Sequence, residues 1–296
     1  MSTTNQPVSV RAPSRGQRLL LAMVLFPSLV FGWGETGHRV VCQIAYEELQ
    51  PDARAELNRL LALDPEFDNF ADSCLAADGP ERIRTPDHYM NMPRSAQAIT
   101  KAECPMADTC VIPAITSDVL VLRDPDASDQ EKLLALKLLG HWVGDIHQPL
   151  HVSFQDDRGG NSNKVDIDVE DGNLHAVWDY SILAASRGDS YREIAADLRG
   201  TITKQQRSAW IYDSPVEWAN ESFQITIAPA TGYCVRKQGA CWYSSDNMML
   251  DRGEEWRSFV ITEHYLQQHS ATIALRLQQA GVRLARLLNQ SLTLDQ

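Results

Sequence analysis

Hydrophobic positions recur at intervals of three and four along most of the chain, and strand-like alternation is confined to one short stretch. In "TGHRVVCQIAYEEL", Val40, Val41, Ile44 and Leu49 fall near one face, which predicts an amphipathic helix. "PDARAELNRLLAL" predicts a second helix opening at Pro51, where a missing N–H costs nothing. "SDQEKLLALKLLGHWVGDIHQ" starts with Ser128 and Glu131 in capping-box spacing, and Pro149 ends it. Helical spacing of Leu275, Leu277, Val282, Leu284 and Leu287 predicts a long final helix within Glu254 to Leu292. "NKVDIDVEDGNLHAVWD" alternates briefly before an Asp-Gly turn, predicting a small hairpin that leads into another helix. Loops are expected at about 64–118 and 212–251, where prolines, cysteines and several aromatics gather. The pattern predicts a mainly α protein: a single-domain helical bundle with a small β-hairpin and disulfide-closed loops.

The first residues follow a different logic. Arg11, Arg15 and Arg18 precede an apolar run from Leu19 to Phe31, and Val30 and Gly32 flank its end. This is the anatomy of a secretory signal peptide, residues 1–32, with cleavage between Gly32 and Trp33. The run is shorter than the roughly 20 residues a membrane-spanning helix needs. The expected product is a secreted or periplasmic domain, 33–296. The leader holds three of the 27 basic residues and no acid, leaving 24 against 39 and a formal charge of −15. Such a chain has no broad basic face for nucleic acid, so any polyanion must be gripped locally, as by metal ions. All six cysteines follow the leader, in a chain bound for an oxidising compartment. The short closures Cys104 to Cys110 and Cys234 to Cys241 are natural disulfides, and they leave Cys42 with Cys74. No Cys-x-x-Cys pair suggests a thiolate zinc site.

Candidate chemistry lies among eight histidines. His141 and Asp145 in "HWVGDIHQPLH" are four apart, so one helix face presents both to the same cation. His151 lies beyond the helix-ending proline, and His175 with Asp179 in "NLHAVWD" repeats the i, i+4 spacing. Alone, either pair reads as an ordinary surface pair, but two pairs plus His151 point to metal. His38 and His88 would singly read as capping or core residues. Cleavage before Trp33, however, would free an α-amino group that could chelate a cation with the Trp33 carbonyl and the His38 imidazole.

Together "WGETGHR", "HYMNMP", "HWVGDIHQPLH", "GGN" and "NLHAVWD" make the chain resemble the secreted three-zinc, single-strand-specific nucleases of the S-one and P-one type. Those enzymes share a mainly helical fold with bacterial zinc-dependent phospholipase C. The resemblance implies three zinc ions per chain. One would be held by an early carboxylate with His88, His141 and Asp145. A neighbour would use the Trp33 amine and carbonyl with His38, bridged by Asp145, and the third would use His151, His175 and Asp179. The family's Trp-Ala-Asp is changed here to Ala76-Ala77-Asp78. Asp78 aligns with the early ligand because Cys74 and Ala77 keep step. Glu81 competes with it, because Glu81 and Arg84 reproduce the acid-to-arginine spacing.

The resemblance further implies hydrolysis of single-stranded DNA and RNA by a metal-activated hydroxide, with 5′-phosphomononucleotides as products and 3′-nucleotidase activity besides. Asp78 and Asp145 would serve catalysis. An arginine of the Arg82 and Arg84 segment, Arg84 by spacing, would steady the phosphate. Tyr89 would stack on a base and Asn91 would contact its edge. His147, His264 and His269 fall outside the ligand set, with His147 donating a supporting hydrogen bond. A monomer with no stable protein partner is expected. Two other readings remain: a phospholipase C with the same metals, against which Asp179 stands where glutamate is typical, and a zinc-binding protein without catalysis.

Overall fold

The structure, a computed structural model, describes residues 33–166, 172–188, 190–242 and 258–293. The expected leader lies outside the described residues, as does most of the turn of the expected hairpin. The helices are α1 (Glu35–Glu47), α2 (Pro51–Leu61), α3 (Phe70–Ser73), α4 (Val111–Arg123), α5 (Asp129–His147), α6 (Leu174–Ala176), α7 (Ile182–Arg187), α8 (Tyr191–Thr201), α9 (Lys204–Trp210), α10 (Pro215–Thr226) and α11 (Glu263–Leu292). The strands are β1 (Met90–Met92), β2 (Val152–Phe154), β3 (Lys164–Val165), β4 (Val235–Lys237), β5 (Ala240–Trp242) and β6 (Ser258–Phe259). β1 pairs parallel with β2 and β3 with β6, while β4 and β5 form an antiparallel ribbon. The mainly helical expectation holds.

Helices α1, α5 and α11 pack together at the centre of the molecule. Their close approach depends on glycines. A Cβ at Gly281 of α11 would lie 2.5 Å from Ile44 of α1, and one at Gly140 of α5 would lie 2.4 Å from the Cys74 sulfur. That sulfur belongs to the Cys42–Cys74 disulfide, and Cys104–Cys110 and Cys234–Cys241 complete the expected set. Trp33, Trp142, Trp178 and Trp218 are completely buried and supply much of the apolar area that drives the packing.

Local rules placed the expected helices well. α5 carries the Ser128–Glu131 capping box and stops at His147, two residues before Pro149. The loop expectations require correction. α4 occupies the end of the first supposed loop, with Val111, Ile115, Val119 and Leu122 buried along one side. α10 occupies part of the second, and its Ser214–Pro215–Glu217 start is a regular N-terminal signature. The final helix runs from Glu263 to Leu292 within the expected segment, capped by the Thr262 side chain. Of the hairpin, an antiparallel bridge from Lys164 to Asn173 lies among the described residues.

His147 shows how the fold handles a histidine outside the site. Its Nδ1 donates to the Val143 carbonyl at 2.7 Å, and its Nε2 accepts from Arg283 at 2.9 Å. Burial and the flanking Arg276 and Arg283 push its pKa far down, so it remains a neutral acceptor. Arg283 is fully buried but paired with Asp213 and Glu221.

Candidate metal centre and adjoining cavity

The centre is assembled where α1 crosses α5. On α5, Gly140 and Gly144 alternate with His141 and Asp145 on neighbouring positions of successive turns. A Cβ at Gly144 would stand 2.6 Å from His38 Nδ1, so glycine there lets the His38 ring enter and stack on His141 at 3.9 Å between centroids. The Gly144 carbonyl also accepts from the Trp33 indole at 2.7 Å, which anchors the start of the described chain beside the same turn. Gly144→Ala is therefore expected to overpack this junction, costing about 1–3 kcal/mol of stability. Denaturant midpoints would measure it; an unchanged midpoint would contradict the tight approach.

Asp145 is fully buried among imidazoles. Its Oδ1 lies 3.4 Å from His38 Nε2 and 3.2 Å from His151 Nδ1. Its Oδ2 lies 3.1 Å from His88 Nδ1 and 3.2 Å from His141 Nε2. None of these approaches has hydrogen-bond alignment: both Asp145 oxygens, both His38 ring nitrogens and His151 Nε2 are buried without a hydrogen-bond partner. Leaving so many buried polar atoms unpaired costs roughly 1–3 kcal/mol each unless something else satisfies them.

The other ring nitrogens are satisfied in a consistent way. His141 Nδ1 donates to Cys74 O at 2.8 Å, His88 Nε2 to Ile83 O at 3.1 Å, His151 Nδ1 to His88 O at 2.7 Å and His175 Nδ1 to Gly159 O at 2.8 Å. A carbonyl can only accept, so each bond puts the ring's proton there and leaves the opposite nitrogen a lone-pair donor. The ligand-capable atoms form three groups, each within 4.8 Å: His38, His141 and Asp145; Asp78, His88 and His141; His151, His175 and Asp179. Buried nitrogen and oxygen donors in such groups fit zinc.

The titration properties of the metal-free groups divide: two rings are kept neutral and ready to donate, whereas His141 and Asp179 hold a proton that a metal ion would displace. Burial and the neighbouring His141 pull His38 to about 4, and burial with His151 pulls His175 to about 3. Burial opposes the charge on His141, but Asp145 and Asp78 outweigh it and hold that ring at about 9. Burial also pushes Asp179 well above the carboxylate range, despite the hydrogen bond from Gln148 Nε2 to its Oδ1 at 2.5 Å.

Asp78 and Glu81 are separated by position. Asp78 is buried, with its carboxylate 3.5 Å from His88 Nδ1 and 3.6 Å from His141 Nε2, whereas Glu81 is exposed. Arg84, expected to face phosphate, is turned elsewhere. Its backbone is left-handed at φ 50°, its Nε donates to Asp87 at 2.5 Å and its Nη1 reaches Asp118 at 2.8 Å. Arg82 is the guanidinium at the site, 3.2 Å from Asp78 and lining a cavity of about 310 Å³. Tyr89, Asn91, His151 and His175 share that cavity. Parallel pairing of β1 with β2 brings Tyr89 and Asn91 beside His151, a juxtaposition no local pattern announces. His264 is exposed and His269 bonds Ala230 O, both away from the groups.

Three features escaped the sequence reading. The run from α6 to α7 passes through a π turn at Val177–Ser181, so Asp179 sits on a widened turn instead of a regular α-helix. Gln148, read only as part of "HQPLH", orients Asp179. Asp157, in the segment around "GGN", lies at the centre of a buried polar cluster.

A helical scaffold that gathers ligand-capable imidazoles and carboxylates beside a cavity has the arrangement that a metal-assisted hydrolase needs. Comparison of sequences makes the assignment particular: the S1/P1 nuclease family matches residues 33–293, and the chain belongs to that family. Among its relatives, Endonuclease 2 of Arabidopsis thaliana is 29% identical over 276 residues, covering 88% of this chain and 91% of that protein. Nuclease S1 of Aspergillus oryzae is 28% identical over 279 residues, covering 90% and 94%. Nuclease P1 of Penicillium citrinum is 27% identical over 273 residues, covering 87% and 97%. The protein is accordingly a hydrolase of the nuclease type, and nucleic acid is its class of substrate. No helix among the described residues is long and apolar enough to cross a membrane.

Proposed function

We propose that the protein is an exported, monomeric, three-zinc nuclease that hydrolyses single-stranded DNA and RNA to 5′-phosphomononucleotides and also acts on 3′-nucleotides. The observation that carries this reading is the set of three adjoining ligand groups, with buried lone pairs unpartnered, next to the cavity of Tyr89 and Asn91. Asp78, His88, His141 and Asp145 would hold one zinc. Asp145, His38 and the Trp33 amine and carbonyl, freed by cleavage after Gly32, would hold a second. His151, His175 and Asp179 would hold the third. Zinc at these positions supplies a deprotonated water near neutral pH and neutralises charge on the phosphate.

The chain's own groups divide the remaining work. Asp145 lies between two ligand groups and fixes their spacing, while Asp78 holds Arg82 where its guanidinium can steady a phosphate oxygen. The half-buried Tyr89 ring offers a stacking face and Asn91 offers a donor and an acceptor to a base edge. Base faces and edges are free in single strands and occupied in duplexes, which favours unpaired substrate.

Tyr89→Ala is expected to lower kcat/KM on a single-stranded oligonucleotide about 5- to 150-fold, the equivalent of about 1–3 kcal/mol of stacking. Cleavage of an abasic oligonucleotide should change little. Equal losses on both substrates would contradict a stacking role. The function as a whole is tested by comparing rates on single-stranded DNA, RNA, a duplex of the same sequence and phosphatidylcholine vesicles. Preference for the two single strands supports it; release of diacylglycerol without nucleotides would replace it with the phospholipase reading.

A further inference from the structure

Residues Arg158, Gly159 and Gly160 have φ of 56°, 64° and 86°, three successive left-handed positions. A Cβ at Gly159 would lie 2.5 Å from the Leu150 carbonyl, so the loop passes the Pro149–His151 turn with no room for a side chain. The two glycines adopt this conformation freely, but Arg158 does so at a cost, which persists only where the surroundings over-determine it. The loop has a specific task, because the Gly159 carbonyl accepts from His175 Nδ1 at 2.8 Å.

Asp157 supplies the restraint. It is fully buried, its Oδ1 accepts from Gly160 N at 3.3 Å, and its Oδ2 accepts from Asn163 Nδ2 at 2.7 Å. Asn163 in turn accepts Leu174 N at 2.8 Å through its backbone carbonyl, tying the same carboxylate to the start of the helix that carries His175. From the other side the Tyr233 hydroxyl donates to Asp157 at 2.7 Å, and Arg94 Nη2 lies 3.2 Å away. Tyr233 precedes Cys234 of the Cys234–Cys241 disulfide, and Cys241 N donates to Arg94 O at 2.8 Å. The disulfide-closed ribbon thereby buttresses the loop, although it contributes nothing to the three ligand groups.

We propose that Asp157 is a positioning residue: its carboxylate holds the 158–160 loop so that the Gly159 carbonyl sets the proton and the orientation of the His175 ring, with Arg94 and Tyr233 as its support. The proposal rests on the reading of His175 as a zinc ligand. Asp157→Asn keeps the volume but turns an NH₂ toward donors. It should weaken one zinc of three about 10- to 100-fold, the range for partners of metal-binding histidines, and leave the other two unchanged.

The test is competition of the zinc-loaded enzyme with a chromophoric chelator, which resolves the three ions, alongside thermal melting of the metal-free forms. Tyr233→Phe removes a single hydroxyl and serves if Asp157→Asn does not fold; it should weaken the same ion to a smaller degree. A merely structural role would shift all three affinities together, or none, and either result would overturn the proposal. His175→Ala is the reference. If it loses one ion while Asp157→Asn and Tyr233→Phe lose none, the ligand reading stands and the positioning role fails; if it loses none, the ligand reading fails and takes the proposal with it.

Discussion

Asp145→Asn is expected to remove nearly all nuclease activity, by roughly a thousandfold or more, while leaving a folded protein. The carboxylate belongs to one ligand group with His38 and His141 and lies 3.1 Å from His88 of the next, so its loss affects two groups at once. Metal-assisted stabilisation of charge in phosphate hydrolysis amounts to several kcal/mol, and about 4 kcal/mol corresponds to that thousandfold. Asparagine preserves volume in a fully buried position, which avoids the cavity that alanine would leave. Zinc analysis of the purified variant should find the pair of ions on the Asp145 side weakened and the ion of His151, His175 and Asp179 retained. Three tightly held ions with wild-type activity would show that Asp145 bridges nothing.

Stripping the metal should be nearly as severe for stability as for activity. A ligand at a thousandfold excess over its Kd stabilises by about 4 kcal/mol per site, and three such sites rival the whole stability of an ordinary domain. The melting temperature of the chelated protein is expected to fall by more than about 10 °C. The metal-free form should also acquire a characteristic pH dependence. His38 and His175, at about 4 and about 3, lie below the 6.5 of an unfolded histidine. The unfolded chain therefore binds more protons, and stability present above pH 6.5 is lost as pH falls toward those values. His141, at about 9, acts in the opposite sense: its contribution is complete below 6.5 and is lost as pH rises to 9. Protonated imidazoles do not bind zinc, so zinc must displace the His141 proton below about pH 9 and compete for His38 and His175 near pH 4 and 3, and the gap between loaded and stripped protein should narrow as pH falls. Melting curves across pH with and without chelator check this, and a gap that widens in acid would contradict it.

What was legible in the sequence was local. The capping box at Ser128, the stop at Pro149 and the i, i+4 spacing of His141 and Asp145 follow from helix geometry alone, and the three disulfides follow from spacing and elimination. α4 and α10 lie in segments whose cysteines and prolines resemble turn signals, although both helices carry readable signals of their own. Other features depend on tertiary contact. Whether Arg82 or Arg84 faces the cavity is decided by Asp118 on α4, 34 residues from Arg84, whose ion pair draws the second guanidinium away. Gly144 looks like an ordinary helix glycine until His38 arrives from another helix. The parallel pairing of β1 and β2 joins segments about 60 residues apart, and it creates the cavity wall that puts Tyr89 beside His151.

The most direct measurement is to incubate protein beginning at Trp33 with single-stranded DNA, identify the products by mass, and repeat after chelation and after zinc is restored. The account predicts mononucleotides bearing 5′-phosphates, lost with the metal and recovered with zinc. Release that survives chelation, or products bearing 3′-phosphates, would contradict it.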